Sequence, residues 1–264
     1  MNLLEKEMLH LLRRGREKYG FTHVRAEFEA EGTRLDELLR LTEIGYKAGL
    51  DLIIKIGGCE ALTDLYSARQ LGASAIIAPM IESTYALKKY AEACEKAFPK
   101  AQGHDTRFYF NIETIQAYTI HHDLIATSHL LGLNGAVFGR VDLSASMNLP
   151  RHIIETHVIT EKVIEVAATC KDYNQDFIVG GAISSDSIPV LKEITETHLS
   201  RFETRKIAFS NTEIPYASLL NGLAEAARFE LLWLKNKQNY YTTLKNEDIN
   251  RINLLEGRIL SLVA

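Results

Sequence analysis

The sequence predicts an α/β protein, a (β/α)8 TIM barrel carrying extra C-terminal helices. Three observations lead there. Strand-like and helix-like segments alternate along the chain in units of about 25 to 35 residues, the spacing of right-handed βαβ crossovers. No GxGxxG follows the first strand, which weakens a doubly wound dinucleotide-binding alternative. The length, 264 residues, suits a single barrel with a sizeable core.

Each element has its own justification. Residues 2–19 form an amphipathic helix with Leu3, Leu4, Met8, Leu11 and Leu12 on one face. THVRAEFEAEG (22–32) reads as a strand that exits into acids. Residues 35–48 are helical, and DLIIKIGG (51–58) is a short apolar strand closed by two glycines. A helix over 60–71, the strand ASAIIAPMI (73–81) and a helix over 84–98 follow, then a polar loop to Thr106. FYFNIET (108–114) is a buried strand turning polar, residues 115–128 are helical, and GAVFG (135–139) is the next strand. Residues 159–173 form a helix, DFIVGGAIS (176–184) a strand, 188–199 a helix, and RKIAFSN (205–211) the last clear strand.

Seven strands are recognisable where a closed barrel needs eight. The eighth is expected within the N-terminal segment, or the barrel is modified at its first strand. Residues 1–215 would form the barrel and 216–264 a helical extension, one helix over 219–235, a polar break, then another over 246–262. The apolar face Leu220, Leu223, Phe229, Leu232 and Trp233 suits capping of the barrel or, the favoured role, packing between subunits of a homo-oligomer.

Bulk properties exclude several classes. Thirty basic residues against 34 acidic ones give a net charge of -4, with no Lys/Arg stripe for nucleic acid. The N-terminus is too charged for a signal peptide, and no apolar run approaches the roughly 18 residues of a membrane span. The three cysteines, Cys59, Cys94 and Cys170, lie far apart without a CxxC, so neither a disulfide framework nor a zinc knuckle is indicated. A reduced, cytoplasmic enzyme is expected.

Chemistry concentrates at two acids. Glu113 and Asp142 each stand where a buried strand runs out, the position that lines the mouth of a parallel barrel. Two carboxylates converging there make a hard-cation site of the kind Mg2+ or Mn2+ prefers. The bland alternative is that they cap helices after strands. Backbone N–H groups of the turn from Gly139 to Ser144 would form an anion site. Glu27, Glu29 and Glu31 would share one face if their strand continued.

A family resemblance lies in two segments. FNIETIQAYTIHHDLIATSHLLGLNGAVFGRVDLSASMNL (110–149) and LGASAIIAPMIEST (71–84) resemble the HpcH/HpaI-type 2-oxo-acid aldolase and citrate lyase beta family. The likeness extends more loosely over residues 22–211. It implies a metal-dependent barrel that makes or breaks a C–C bond next to an enolisable 2-oxo acid or acyl-CoA. Glu113 and Asp142 would then be direct metal ligands. Gly139, Arg140, Val141 and Ser144 belong to the loop that would receive the substrate carboxylate. Arg140 stands where many members carry proline, and it either grips a second anionic group or pairs with a surface carboxylate. Lys55 falls where the family places an arginine that steadies the enolate. A Schiff-base role for this lysine, or a plain strand-end lysine, are its alternatives.

Glu27 and Glu29 match the family's Asp-x-Glu signature, and Ala30 occupies the place of its His or Asp base, so Glu29 or Glu31 would substitute. The leading expectation is a divalent-metal aldolase joining or cleaving a pyruvate-like 2-oxo acid and an aldehyde. An acyl-CoA or citrate-type lyase, and a barrel that binds metal and 2-oxo acid without turnover, are the alternatives. His121, His122, His152, His157, Asn211, Cys59 and the glycine pairs at 57–58 and 180–181 are weaker candidates.

Overall fold

Eight strands hydrogen-bond in sequence order into a closed barrel, in a computed structural model that describes residues 1–210 and 215–263. They are β1 (Phe21–Glu27), β2 (Asp51–Lys55), β3 (Ala75–Ala78), β4 (Arg107–Ile112), β5 (Gly135–Gly139), β6 (Asp176–Gly180), β7 (Arg201–Glu203) and β8 (Ile207–Ser210). The helices are α1 (Leu3–Lys18), α2 (Leu35–Ala48), α3 (Leu62–Gln70), α4 (Thr84–Ala97), α5 (Ile115–Thr119), α6 (His121–Leu131), α7 (Arg140–Ser146), α8 (His157–Asp172), α9 (Ile188–Thr197) and α10 (Tyr216–Val263). No described helix is long and apolar enough to cross a membrane.

The period of two along each strand sorts the apolar residues into two cores. Outward-facing Val24, Leu52, Ile54, Ile76, Phe110, Phe138, Phe177 and Val179 pack against the helical ring. Inward-facing Ile53, Ala75, Ile77, Tyr109, Val137, Ile178 and Ala208 fill the lumen. Because both faces are buried, β2, β3, β5 and β6 are nearly continuous apolar runs.

The eighth strand is not where it was expected. The N-terminal segment is α1, capped by Asn2, whose side chain accepts from the Glu5 backbone N–H. The missing strand is β7, three residues long. Its lumen-facing residues are Arg201 and Glu203, so it carries no apolar run. The modification of the barrel falls at its last two strands rather than at the first. Only Thr204, Arg205 and Lys206 separate β7 from β8, too few for a crossover, and the two pair antiparallel. β8 is therefore also antiparallel to β1.

After β8, α10 runs back along α1 toward the C-terminal ends of the parallel strands. Leu223, Phe229, Leu232 and Trp233 are buried against the barrel, whereas Leu220 is exposed. The expected polar break does not occur. One helix of 48 residues continues, because residues 236–245 contain neither Gly nor Pro and nothing there halts the i→i−4 ladder.

Candidate active site

The lumen floor gives way to charge at the C-terminal strand ends. There a cavity of about 440 Å³ is lined by Arg25 and Glu27 of β1, Lys55 of β2, Asn111 of β4, and Glu113 just beyond β4. Gly139, Val141 and Asp142 line it from the β5 side, Gly180 at the end of β6 with Gly181 to Ile183 of the loop after it, and Glu203 at the end of β7 with Thr204 and Arg205 of the β7–β8 turn. Leu223, Ala226, Ala227 and Glu230 of α10 form the remaining wall.

Glu113 is the most enclosed acid of the group, 1 % exposed. One carboxylate oxygen, Oε1, accepts the Met80 N–H at 3.0 Å, and Oε2 accepts Asn111 Nδ2–H at 2.6 Å. Lys55 Nζ stands 3.4 Å from the same Oε2. Burial pushes the Glu113 carboxyl above its ordinary range. Lys55 and the Met80 amide oppose this, while the charge of Asp142 adds to it. Met80 holds a left-handed backbone (φ 50°) to present its N–H, a strain of roughly 1 kcal/mol or more that the Pro79–Met80 turn retains. Gly139 is required for room: a Cβ there would lie 2.7 Å from the Glu113 Cβ and 2.9 Å from its Oε2.

Asp142 is exposed at the start of α7 and, among the described residues, makes no hydrogen bond or ion pair. The two acids therefore share one cavity, close enough for the charge of one to act on the other. Arg151 lines the same cavity, also without a described carboxylate partner. No three His, Cys, Asp or Glu side chains among the described residues gather in metal-binding geometry. A cation here would draw on two carboxylates and on neutral oxygens. One such oxygen is Asn111 Oδ1, buried in the cavity wall without a partner. These are hard oxygen donors and fit Mg2+ or Mn2+, with the Lys55 ammonium the loosest of the contacts already made to Glu113.

Glu27 behaves differently from Glu113. Burial alone would raise it, but Arg25 at 2.6 Å and the nearby Lys55 outweigh that and hold it below the usual carboxylate range. Arg25 also reaches Glu203 at 2.7 Å, and Arg201 contacts Glu203 at 3.1 Å while stacking over the Tyr109 ring. Buried charge here is neutralised pair by pair.

Several expected site residues lie elsewhere. β1 ends at Glu27, and the chain turns at Phe28–Gly32, so Glu27, Glu29 and Glu31 do not share a face. Glu29 is exposed in a separate shallow groove beside Gly57, Gly58, Cys59 and Asp64. Glu31 is spent on Lys206 and Arg205. Neither reaches the cavity. Arg140 is fully buried and turned away from it. Its guanidinium donates to Glu155 at 2.9 Å, to the carbonyls of Gly180 and Gly181 at 3.4 and 2.9 Å, and to Ser187 Oγ at 3.1 Å. With its donors committed, it grips no substrate; it ties the start of α7 to Glu155 and to the loop after β6. Ser144 is buried and donates its hydroxyl to Val141 O at 2.8 Å, so it too lies outside the cavity lining. Val141 and Gly139 do line it.

His121 is buried between Tyr118 and His122, outside the cavity lining. His152 and His157 are exposed and outside the cavity lining. Asn211 lies outside the described residues. Sequence reasoning missed Asn111, Arg151 and Glu203. Asn111 carried a usable signal, since it stands two residues before the recognised acid Glu113.

In fold, the chain is similar to solved barrels described as HpcH/HpaI aldolase and citrate lyase family proteins. An HpcH/HpaI aldolase from Desulfitobacterium hafniense matches with a TM-score of 0.60 at 13% identity, over 74% of this chain and 82% of that one. An HpcH/HpaI aldolase/citrate lyase family protein from Burkholderia cenocepacia also gives 0.60 at 13%, over 86% and 90%. A variant of the citrate synthase SbnG gives 0.57 at 17%, over 84% and 89%. No protein-family model matches the sequence, and no curated protein matches it.

Proposed function

We propose that the protein is a carbon–carbon lyase, a divalent-metal aldolase that forms or cleaves the bond between the enolate of a pyruvate-like 2-oxo acid and an aldehyde. The observation that carries this reading is the placement of Glu113, Asp142 and Lys55 around one cavity at the C-terminal mouth of the barrel. The fold shared with aldolase and lyase barrels supports it.

Glu113 and Asp142 would hold Mg2+ or Mn2+. Bound there, the ion would act as a Lewis acid on the keto oxygen of the substrate. Lys55 places an ammonium beside Glu113, where negative charge develops as the enolate forms, and a fixed cation stabilises that charge without reorganising. With Glu29 outside the cavity, the proton carrier is Glu27. Arg25 keeps it ionised and thus able to accept a proton from the carbon next to the keto group. Its depressed pKa makes it a modest base, suited to a proton already acidified by the polarised carbonyl. Leu223, Ala226 and Ala227 supply an apolar wall that limits water on the α10 side.

The test is exchange of the pyruvate methyl protons in D2O, followed by NMR, with oxaloacetate decarboxylation alongside. Both are expected to vanish on chelation and to return with Mn2+ or Mg2+. Borohydride trapping of pyruvate on Lys55 would replace the metal mechanism with a Schiff base. Absence of exchange under every metal condition would leave a barrel that has lost turnover.

A further inference from the structure

Past Tyr241, helix α10 leaves the barrel. Every residue from Thr242 to Leu262 is exposed, an arm about 30 Å long at the α-helical rise. Its sequence is not that of a solvated helix. Leu244, Ile249, Ile252, Leu255, Ile259 and Leu262 fall, with Leu260, within one arc of roughly 160° around the helix axis. Of the large apolar residues described in the arm, Leu254 alone lies outside that arc.

Such an arm does not sustain itself. Thr242, Thr243, Asn246, Asn250, Asn253 and Gly257 are poor helix formers, and an isolated helix of about 20 residues is marginal in water even with good ones. Something covers this face. Its charges argue against a lipid surface: Lys245, Arg251 and Arg258 are balanced by Glu247, Asp248 and Glu256, leaving no net attraction for anionic headgroups.

We propose that the arm pairs antiparallel with the same arm of a second copy of this chain, about a twofold axis between Asn250 and Arg251. The charges within the apolar arc select this arrangement. Antiparallel pairing about that axis sets Ile249 against Ile252, Lys245 against Glu256 and Asp248 against Asn253, each twice by symmetry. A parallel pair would stack Lys245 on Lys245, Asp248 on Asp248 and Glu256 on Glu256. The overlap of about 20 residues buries on the order of 600–800 Å² per copy, the lower range for a specific interface. The pairing is independent of the reaction performed at the mouth.

Sedimentation velocity on the full chain, from low to high micromolar concentration, tests this. The wild type is expected to shift from monomer to dimer. Ile252→Asp is expected to stay monomeric, with its melting temperature preserved because the residue touches nothing in the barrel. Lys245→Glu and Glu256→Lys should each weaken dimerisation about tenfold, and the double exchange should restore it. A wild type that is monomeric throughout overturns the proposal, whether the arm then lies against its own barrel or serves a different partner. Self-association that survives Ile252→Asp also overturns it, as does a double exchange no better than the singles.

Discussion

Replacing Arg140 by alanine separates a structural clamp from a substrate contact. The guanidinium is fully buried and makes four contacts, the shortest being the ion pair to Glu155 and the bond to the Gly181 carbonyl, both at 2.9 Å. Removing one partner of a buried ion pair costs about 3–5 kcal/mol, chiefly through the charge left behind. Here the survivor, Glu155, keeps 23% side-chain exposure and still accepts from Ser187 Oγ at 2.7 Å, so water recovers part of the loss. The stranded carbonyls of Gly180 and Gly181 add a share, which places the total at about 3 kcal/mol. For a chain of this size that corresponds to a fall in Tm of roughly 6–12 °C. Urea titration and calorimetry measure it, and Glu155→Gln should cost about 1 kcal/mol because the amide still accepts. A double-mutant cycle between the two positions should return most of the difference as coupling energy. If Arg140→Ala melted like the wild type while substrate affinity collapsed, the clamp would be the wrong account and the guanidinium would belong to the binding site.

Three further outcomes follow from the geometry. Asp142→Ala should change stability by no more than about 0.5 kcal/mol, since the residue is exposed and unpaired, yet abolish calorimetric Mn2+ binding; a large drop in Tm would return Asp142 to a helix-capping role. Lys55→Met should lower the rate of pyruvate methyl exchange about 10²- to 10³-fold with little change in KM, the signature of charge stabilised in the transition state. His23 lies at the lower end of the lumen, where burial, and then the charge of Arg201, push it down to about 4. The fold holds it neutral, so its contribution is complete above pH 6.5 and is lost as pH falls toward 4. The loss amounts to about 3 kcal/mol. Equilibrium unfolding of His23→Gln against pH should lack that component, and an unaltered acid limb would disprove it.

The sequence disclosed what periodicity can carry and concealed what depends on partners far along the chain. Five apolar strands and the acids at the ends of β4 and β5 were legible because burial on both faces writes a continuous run and the switch to polar residues marks the strand end. β7 was not, since two of its three residues are the lumen charges Arg201 and Glu203, paired with each other and, through Glu203, with Arg25 of β1. Arg140 reads as a surface or ligand arginine until its partners, 15 to 47 residues away, are seen around it. The placement of Glu29 turned on a single fact, whether β1 runs two residues further. The Phe28 N–H bonds to the Lys55 carbonyl, and there the ladder stops. Thr33 N–H then bonds back to Phe28 O, which closes the turn and swings Glu29 outward.

The reversed last strand changes how the mouth is built, and this bears on where selectivity resides. In a fully parallel barrel all eight strands end at the mouth and each can deliver a side chain there. Here β8 ends at the opposite rim, pairing with the start of β1 through Ser210 N–H and Gly20 O. Its place at the mouth is taken by the short turn into it and by α10. Arg205 of that turn touches Glu31 and, at 3.7 Å, Glu230 of α10, so three separate segments meet over one side of the cavity. The half that carries Lys55, Glu113 and Asp142, built on β2, β4 and β5, rests on the rigid parallel sheet. The facing half rests on a hairpin turn and a helix wall. Substitutions at Ala226, Ala227 or Thr204 can therefore alter which second substrate fits while leaving Glu113, Asp142 and Lys55 in register. A change of acceptor preference without loss of pyruvate methyl exchange would be the mark of that division.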